Sequence, residues 1–213
     1  MDVYLGSDGC RYVRVIDYKT GHKSFRLPDV LLGLNMQMLV YLAAPGGKRP
    51  GAACRGALHA RGRALGLGGP GAGEEKIKAE ADKQLKMSGV VLSDQEIIQA
   101  MEAGAKGRFI PASLNKDGSL GRYSSALSRQ ELHTVLEYSK LLIAAMGREL
   151  LEGRVEPEPA LTGRDSCRYC PYSPVCGREL GGQNVKQDKI TPQEALAQME
   201  EALQKGMNFT VFR

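Results

Sequence analysis

The pattern of hydrophobic and polar residues in the first 43 positions predicts two strands followed by a helix. Residues 2–5 and 11–18 have strand patterns, and Thr20-Gly21 favours a turn soon after the second strand. Residues 29–43 show the three- and four-residue spacing of an amphipathic helix. The apolar positions of this helix are Leu31, Leu34, Met38 and Leu42.

Three further helices are predicted from capping patterns, in which Ser or Thr is followed three residues later by Glu. The second of them is the longest, extends to about Glu152 and is closed by Gly153. A strand is predicted over residues 109–114, followed by a turn at Asp117-Gly118. These elements predict an α/β fold. The capping pairs are Ser93 with Glu96, Ser128 with Glu131, and Thr191 with Glu194.

An acid and a lysine stand two residues apart at the end of the second predicted strand. Side chains alternate along a strand, so Asp17 and Lys19 share one face. A carboxylate can hold Mg²⁺, and a nearby ammonium can orient a water or neutralise charge building on a phosphate. Gln37 and Tyr41 lie one helical turn apart, where both can face a phosphate backbone. These four residues predict a site for phosphodiester hydrolysis.

The segments that hold these residues resemble the nuclease domain of the RecB type, within the PD-(D/E)xK phosphodiesterase superfamily. Residues 18–21 and 33–42 are similar to one branch, the AddB family of B subunits from bacterial AddAB helicase-nucleases. The resemblance covers most of residues 1–44 and 74–180. It implies a restriction-endonuclease-like core with a mixed sheet flanked by helices. It also implies that Asp17 and Lys19 are catalytic, and that Gln37 and Tyr41 support DNA binding and the site.

The resemblance also implies a function and a domain organisation. The expected activity is that of a DNA exonuclease, dependent on Mg²⁺, which processes double-strand breaks for recombinational repair. The expected partners are DNA and an AddA-like helicase-nuclease subunit. We expect a nuclease domain over residues 1–180 and a helical tail over residues 181–213.

Three cysteines within ten residues form a second motif, made of Cys167, Cys170 and Cys176. Two thiolates spaced by two residues can bind one metal centre from a tight turn, and this spacing suits either zinc or an iron-sulfur cluster. The resemblance implies that all three bind a 4Fe-4S cluster whose fourth ligand lies outside this chain. Cys10 and Cys54 do not occupy the matching place.

The resemblance is interrupted in two places. The family's second metal ligand belongs to a Gly-x-x-Asp-Arg segment, whereas this chain begins at Met1-Asp2 with that strand under way. Asp2 matches a different acid, so we expect a truncated domain with weak or no activity alone. In residues 43–73, where the family has a core strand, 25 of 31 residues are Ala, Gly, Arg or Pro. This segment is either a flexible linker or a frameshifted patch that costs the sheet one strand.

Composition narrows the class of protein. In 213 residues, a 42% hydrophobic content is enough for a core, and no apolar run is long enough to span a membrane. Five cysteines, an odd number, favour a reducing compartment, and the start of the chain lacks a secretory pattern. We therefore expect a soluble, cytoplasmic protein. The net charge of +5 favours a polyanionic partner.

Two other functions stay open. A stand-alone RecB-like nuclease resembling the CRISPR-associated Cas4 proteins also pairs such a site with a cysteine cluster. A non-enzymatic DNA-binding module with a zinc knuckle at residues 167–176 is the second alternative, and its DNA binding would not depend on Asp17.

Overall fold

A mixed five-stranded sheet is the centre of the fold, with the strands arranged in the order in which they occur along the chain. A computed structural model describes residues 2–18, 25–44, 53–60, 73–154, 160–161, 167, 170–176, 185–186 and 190–206. The first and second strands pair antiparallel, the second and third parallel, the third and fourth antiparallel, and the fourth and fifth parallel. The strands are β1 (Asp2–Leu5), β2 (Arg11–Tyr18), β3 (Ala53–Ala60), β4 (Ser88–Leu92) and β5 (Ala126–Leu127).

Six helices and a separate parallel strand pair are described besides the sheet. The pair consists of β6 (Ala160–Leu161) and β7 (Val185–Lys186). The helices are α1 (Leu27–Leu31), α2 (Met36–Ala43), α3 (Glu74–Leu85), α4 (Gln95–Met101), α5 (Arg129–Leu151) and α6 (Pro192–Gln204).

The chain divides into two compact units. The first contains Met1–Arg26 and Asn35–Leu136, and the second contains Leu27–Leu34 and Glu137–Arg213. The expected division into a nuclease domain over residues 1–180 and a tail over residues 181–213 stays a prediction.

Apolar side chains beneath the sheet form the core of the first unit. Ile16 from β2 and Leu114 and Leu120 from the loop before β5 pack against a fully buried cluster. The cluster joins β4, α4 and the chain that follows α4, so it holds sheet and helix together. Its members are Val91, Ile98, Ala105, Ile110 and Ala112.

The second unit is organised around α1, α6 and the second half of α5. Tyr138 is 3% exposed, and its hydroxyl donates a 3.0 Å hydrogen bond to the backbone oxygen of Leu31. Burial raises the pKa of Tyr138 to about 12, since the phenolate would be poorly solvated there. The buried apolar residues of this unit are Leu27, Val30, Leu31, Tyr138, Leu142, Ala145, Ala195, Leu196 and Met199.

The two predicted N-terminal strands are confirmed, but the single helix over residues 29–43 is wrong. The chain forms α1 and α2 instead, separated by a break at Gly33 and Asn35. Both residues adopt positive φ angles, 72° and 58°, which no α-helix continues through. Leu34 therefore leaves the predicted apolar stripe and is 38% exposed.

The expectation that residues 43–73 cost the sheet a strand is also wrong. Residues 53–60 form β3, which pairs with β2 along its whole length and with β4 on its other side. Small residues do not prevent this pairing, because the backbone supplies the hydrogen bonds and both neighbours are already strands. A flexible linker is excluded for these eight residues; the parts of the segment at 45–52 and 61–72 lie outside the described residues.

Two local predictions are corrected and three are confirmed. Residues 109–114 are irregular, with one bridge between Leu114 and Leu120, around the predicted turn at Asp117-Gly118. The N-cap of α4 is Asp94, not Ser93, because the Asp94 carboxylate accepts the Ile97 N–H at 3.3 Å. The capping boxes of α5 and α6 are confirmed. They join Ser128 with Glu131 and Thr191 with Glu194.

Candidate active site

Asp17 lies near the carboxyl end of β2, an interior strand of the sheet. Alternation along β2 places Val13, Val15 and Asp17 on one face and Tyr12, Arg14 and Ile16 on the other. α4 covers the second face. Ile16 packs against the cluster that contains Ile98, and Tyr4, which pairs with Tyr12, donates a 2.8 Å hydrogen bond to Glu96 of α4.

The first face, which carries Asp17, is the one against which α2 can pack. Val13 and Val15 are buried, and α2 packs against both β2 and β3. Since α4 occupies the opposite side, α2 covers the face of Asp17. The side chain of Asp17 is partly buried, with its Oδ2 atom shielded from solvent. The sheet therefore presents one carboxylate beside a helix.

Gln37 and Tyr41 form a hydrogen-bonded pair on the outer side of α2. Gln37 Nε2 donates to Tyr41 Oη at 2.9 Å, as their spacing of one turn allows. Tyr41 is 48% exposed and Gln37 is also exposed, whereas Met38, Leu39 and Leu42 of the same helix are buried. The pair is thus held by α2 and is accessible to a ligand.

Lys19 lies outside the described residues, so its position beside Asp17 stays a prediction. Asp17 itself pairs with His59 of β3 in the parallel register. The strand that carries the acid is therefore paired up to the position next to Lys19.

Two other acids near the start of the chain are engaged elsewhere. Asp2 pairs with Arg14 in the register of β1 and β2, which places it on the face opposite Asp17. Arg14 Nε donates to Asp2 at 2.9 Å, and this hydrogen bond is the main cause of a lowered pKa for Asp2. Asp2 therefore does not supply a second ligand beside Asp17.

Asp8 belongs to a separate network that ties the β1–β2 turn to the start of α5. Its carboxylate accepts hydrogen bonds from Tyr12 Oη at 2.7 Å, from the Cys10 N–H at 2.9 Å and from Arg129 at 3.0 Å. These hydrogen bonds, that of Tyr12 first, lower the pKa of Asp8 well below its usual range. Arg129 also contacts the Asp94 carboxylate at 3.5 Å. The network is not apparent in the sequence, because Asp8 and Arg129 are 121 positions apart.

The three cysteines of the second motif lie in a series of turns in the second unit. The Cys170 N–H donates to the Cys167 backbone oxygen at 3.1 Å, which closes a turn between the first two. Cys167, Cys170 and Cys176 are all partly buried and none forms a disulfide. Within the described residues, no three Cys, His, Asp or Glu side chains are close enough together to hold a metal ion.

Comparison with known proteins decides the family. The model of the PD-(D/E)XK nuclease superfamily matches residues 2–177. The chain belongs to this superfamily. The mixed sheet agrees with the α/β core expected of this superfamily, and the assignment of Asp17 and Lys19 to the acid-x-lysine part of its motif stays a prediction.

Curated relatives narrow the similarity within the PD-(D/E)XK nucleases. The chain is 33% identical over 193 residues to a protein of Acetivibrio thermocellus and 35% identical over 193 residues to one of Alkaliphilus oremlandii. A Thermoanaerobacter protein is 31% identical over 205 residues. Each is named as the B subunit of an ATP-dependent helicase/deoxyribonuclease. The matches cover 83%, 83% and 92% of this chain but 16%, 16% and 18% of the relatives.

A membrane span is not found among the helices of the described residues, since none is both long and apolar enough to cross a bilayer.

Proposed function

We propose that this PD-(D/E)XK nuclease chain is the nuclease module of an AddB-like subunit and cuts DNA by Mg²⁺-dependent hydrolysis of phosphodiester bonds. The observation that carries the proposal is the partly buried Asp17 near the end of β2, on the face beside α2 with its exposed Gln37–Tyr41 pair. The relatives are named as deoxyribonuclease subunits, which gives DNA as the substrate class. The net charge of +5 suits a polyanion.

Each site residue has one role in this proposal. Asp17 holds the metal ion through a carboxylate oxygen, the ligand type that Mg²⁺ prefers. Lys19, two residues on, orients the attacking water or balances the charge that builds on the phosphate. Gln37 and Tyr41 present an amide and a hydroxyl to the DNA backbone and fix the strand before it is cut. When bound, Mg²⁺ supplies Lewis-acid stabilisation of the phosphate oxygens and a more acidic water.

The carboxylates near the site satisfy Mg²⁺ only in part, and this determines the rate of DNA cleavage that we expect. Asp17 is a suitable ligand, whereas Asp2 lies on the opposite face and Asp8 is held by Tyr12 and Arg129. Mg²⁺ is commonly held by one or two carboxylates plus water and substrate. Within the described residues Asp17 is not grouped with two further metal-binding side chains, so we expect weak binding of the ion and slow cleavage when the chain acts alone.

The proposed biological role is that of the longer protein. Because relatives are named as the B subunit of an ATP-dependent helicase/deoxyribonuclease, we infer an AddA-like partner subunit that unwinds the duplex. The nuclease site at Asp17 then degrades one of the unwound strands as an exonuclease. Processing of double-strand breaks for recombinational repair is the corresponding cellular function, and the cytoplasm is the corresponding location.

A 4Fe-4S cluster at Cys167, Cys170 and Cys176 is the second part of the proposal. The closed turn between Cys167 and Cys170 supports two of the three ligands, since such a turn lets two thiolates reach one metal centre. In the part of the chain that the structure describes, the three cysteine side chains are not gathered into a metal-binding group, so binding a cluster would require the loop to close around it. A fourth ligand is also needed, since such clusters are held by four cysteine thiolates. Anaerobic purification followed by iron and zinc analysis tests the assignment, because zinc without iron would instead favour a zinc knuckle.

The decisive test of the nuclease is cleavage of end-labelled single-stranded DNA by the purified chain. We expect slow, Mg²⁺-dependent shortening of the DNA that disappears in both Asp17→Ala and Lys19→Ala. Mn²⁺ binding, measured by electron paramagnetic resonance, gives a readout that is independent of turnover and should be lost only in Asp17→Ala. Cleavage that persists at the same rate in both variants would overturn the site. Rapid cleavage that is lost in Lys19→Ala would support the site residues but contradict the low activity expected of the chain alone.

A further inference from the structure

An exposed tyrosine and an arginine stand together at the tip of a tight turn just before β5. Tyr123 is 91% exposed, although the large apolar surface of a tyrosine is usually at least partly covered. The Arg122 guanidinium carbon lies 5.8 Å from the centre of the Tyr123 ring. An aromatic face and a cation are the two groups that bind single-stranded nucleic acid, the first by stacking on a base and the second by contact with phosphate.

The turn is held firmly by hydrogen bonds below its tip. The Ser124 N–H donates to the Gly121 oxygen at 3.0 Å, which closes a four-residue turn with Arg122 and Tyr123 at its two corners. The Ser113 N–H donates to Ser124 Oγ at 3.0 Å, and Ser124 Oγ donates to the Ser113 oxygen at 3.2 Å. Such bracing holds the backbone beneath the two exposed side chains before any ligand binds.

Two further contacts fix this turn to the body of the first unit. Leu114 and Leu120, on either side of the preceding loop, pack against the buried core cluster. At Gly121 an added Cβ would lie 2.2 Å from Ser113 Oγ, so any larger residue there would force the Ser113 hydroxyl to rotate away. The turn is therefore part of the folded core.

Sheet register brings this turn to the same end of the sheet as Asp17. Asp17 pairs with His59 in β3, and His59 pairs with Ser88 in β4. Val91 of β4 pairs in parallel with Ala126 of β5, so the chain that leads into β5 lies toward the end of β4 that carries Ser88. Ser125 Oγ donates to the Gly89 oxygen at 2.6 Å, which shows that the two segments stay together in this direction.

The strand order also gives the distance across the sheet from β2, which carries Asp17, to β5, which follows the turn. From β2 to β5 there are three strand spacings of about 4.8 Å, or about 14 Å. Successive phosphates of one DNA strand are about 3.4 Å apart along a duplex and further apart when the strand is extended. A segment of about two to four nucleotides therefore bridges Asp17 and the turn.

We propose that Tyr123 and Arg122 form a DNA-strand anchor, in which an unpaired base stacks on Tyr123 while Arg122 binds a neighbouring phosphate. The inference rests on the proposed nuclease function and adds a second contact on the substrate, away from the metal site. The anchor predicts that the first unit binds single-stranded DNA rather than an intact duplex, because stacked base pairs do not offer a free base face to a side chain.

Binding of a fluorescent twelve-nucleotide oligo-dT to the full chain in EDTA tests the anchor without cleavage. We expect Tyr123→Ala to weaken binding about tenfold and Tyr123→Phe, which keeps the ring, to restore it. Arg122→Gln should weaken binding severalfold and reduce its dependence on salt. Arg148→Gln is the matched control, because it removes another exposed arginine, from α5, and should change the affinity little beyond the nonspecific effect of one charge.

A DNA strand without bases separates stacking from general electrostatics. With an abasic twelve-mer, the Tyr123→Ala effect should vanish while the Arg122→Gln effect stays. The chain has no tryptophan, so Tyr123→Trp introduces a single fluorescent reporter. Oligo-dT should quench it through stacking, whereas the same probe at Tyr172, which is 69% exposed in the cysteine loop, should not respond.

The outcomes distinguish failure of the anchor from failure of the nuclease proposal. If wild-type chain binds oligo-dT and Tyr123→Ala binds equally well, the anchor is refuted and the nuclease proposal stands. Equal quenching of the two tryptophan reporters would also refute the anchor. If the wild-type chain binds no single-stranded DNA at all, both proposals fail.

Discussion

Arg14 and Asp2 form an ion pair across β1 and β2, with Arg14 Nε donating to the Asp2 carboxylate at 2.9 Å. The pair lies on the face of the sheet opposite Asp17. Asp2 and Asp17 lie on neighbouring strands but on opposite faces of the sheet. Asp2 neutralises Arg14, and Asp17 is the proposed metal ligand.

Asp2→Asn should leave metal binding intact while Asp17→Asn abolishes it. The substitutions make the same chemical change on opposite faces, so each controls for the other. Asp2 is 56% exposed in its side chain, and loss of an exposed ion pair costs less than about 1 kcal/mol of stability. Mn²⁺ titration followed by electron paramagnetic resonance measures the binding. A similar loss of Mn²⁺ affinity in both variants would show that Asp2 reaches the metal.

Tyr41→Phe is expected to weaken binding of single-stranded DNA about fivefold without changing the fold. The substitution removes the hydroxyl that accepts the Gln37 hydrogen bond and, in the proposed function, faces the phosphate backbone. Fluorescence anisotropy in EDTA measures the affinity. Val40→Ala is the neighbouring control, because Val40 is 39% exposed on the same helix and offers no polar group. Equal affinities of Tyr41→Phe and wild type would remove Tyr41 from the DNA surface.

Acid should unfold the protein partly through Asp8. Hydrogen bonds from Tyr12, Cys10 and Arg129 keep the pKa of Asp8 in the folded chain well below the value of about 3.9 expected when unfolded. The unfolded chain therefore binds a proton first, and this contribution is present above about pH 4 and is lost as the pH falls toward the folded pKa. Asp8→Asn lacks this contribution.

Urea unfolding from pH 6 to pH 2.5 measures this effect. The urea midpoint of Asp8→Asn should fall less steeply with decreasing pH than that of the wild type. Tyr12→Phe, which removes the largest cause of the shift, should also flatten the dependence. Parallel curves for wild type and Asp8→Asn would contradict the assignment.

Tyr138→Phe should destabilise the second unit by about 1–2 kcal/mol. The substitution keeps the ring but leaves the backbone oxygen of Leu31 without the hydrogen bond that it receives from Tyr138. Unfolding in urea, followed by circular dichroism, measures the loss. Tyr123→Phe makes the same change at a side chain that is 91% exposed, so its stability should stay within about 0.5 kcal/mol of wild type.

Two glycine-to-alanine substitutions should change stability in opposite directions. Gly147 lies within α5 with open space around an added Cβ, so Gly147→Ala should stabilise by about 0.5–1 kcal/mol. Gly107 has a φ of 70°, and an added Cβ would lie 2.8 Å from the Ala112 oxygen. Gly107→Ala should therefore lower the melting temperature, while Gly147→Ala raises it. A stabilising effect of Gly107→Ala would contradict the positive φ and the close backbone approach at Gly107.

Local patterns were sufficient for the parts of the fold whose cause is local. β1 and β2 follow from residue alternation, and the capping boxes at Ser128 and Thr191 follow from two residues three positions apart. The locations of Asp17 and of the Gln37–Tyr41 pair could also be predicted, because the first depends on the end of one strand and the second on one turn of a helix. Their roles in catalysis stay predictions.

Features that depend on distant contacts were not predictable. Residues 53–60 contain no β-branched residue and no Phe, Tyr or Trp, and they form β3 because β2 and β4 pair with them on either side. The break between α1 and α2 depends on positive φ angles at Gly33 and Asn35 that the apolar spacing does not reveal.

The Tyr123 turn was missed for a related reason. Its sequence, Gly121 to Ser124, has no periodicity, and only the pairing of β5 with β4 relates it to Asp17. The network that joins Asp8 to Arg129 likewise depends on the folded chain, because the two residues are far apart in sequence.

The order of the strands across the sheet has a consequence for how much DNA lies between the two proposed contacts. In the proposed arrangement, the cut and the stacked base are separated by the three strand spacings of about 4.8 Å that lie between β2 and β5. Side-chain substitutions change the affinity of the two DNA contacts but leave the distance between them unchanged. In this arrangement the length of DNA between the two contacts follows from the number of strands between them rather than from the identity of single side chains.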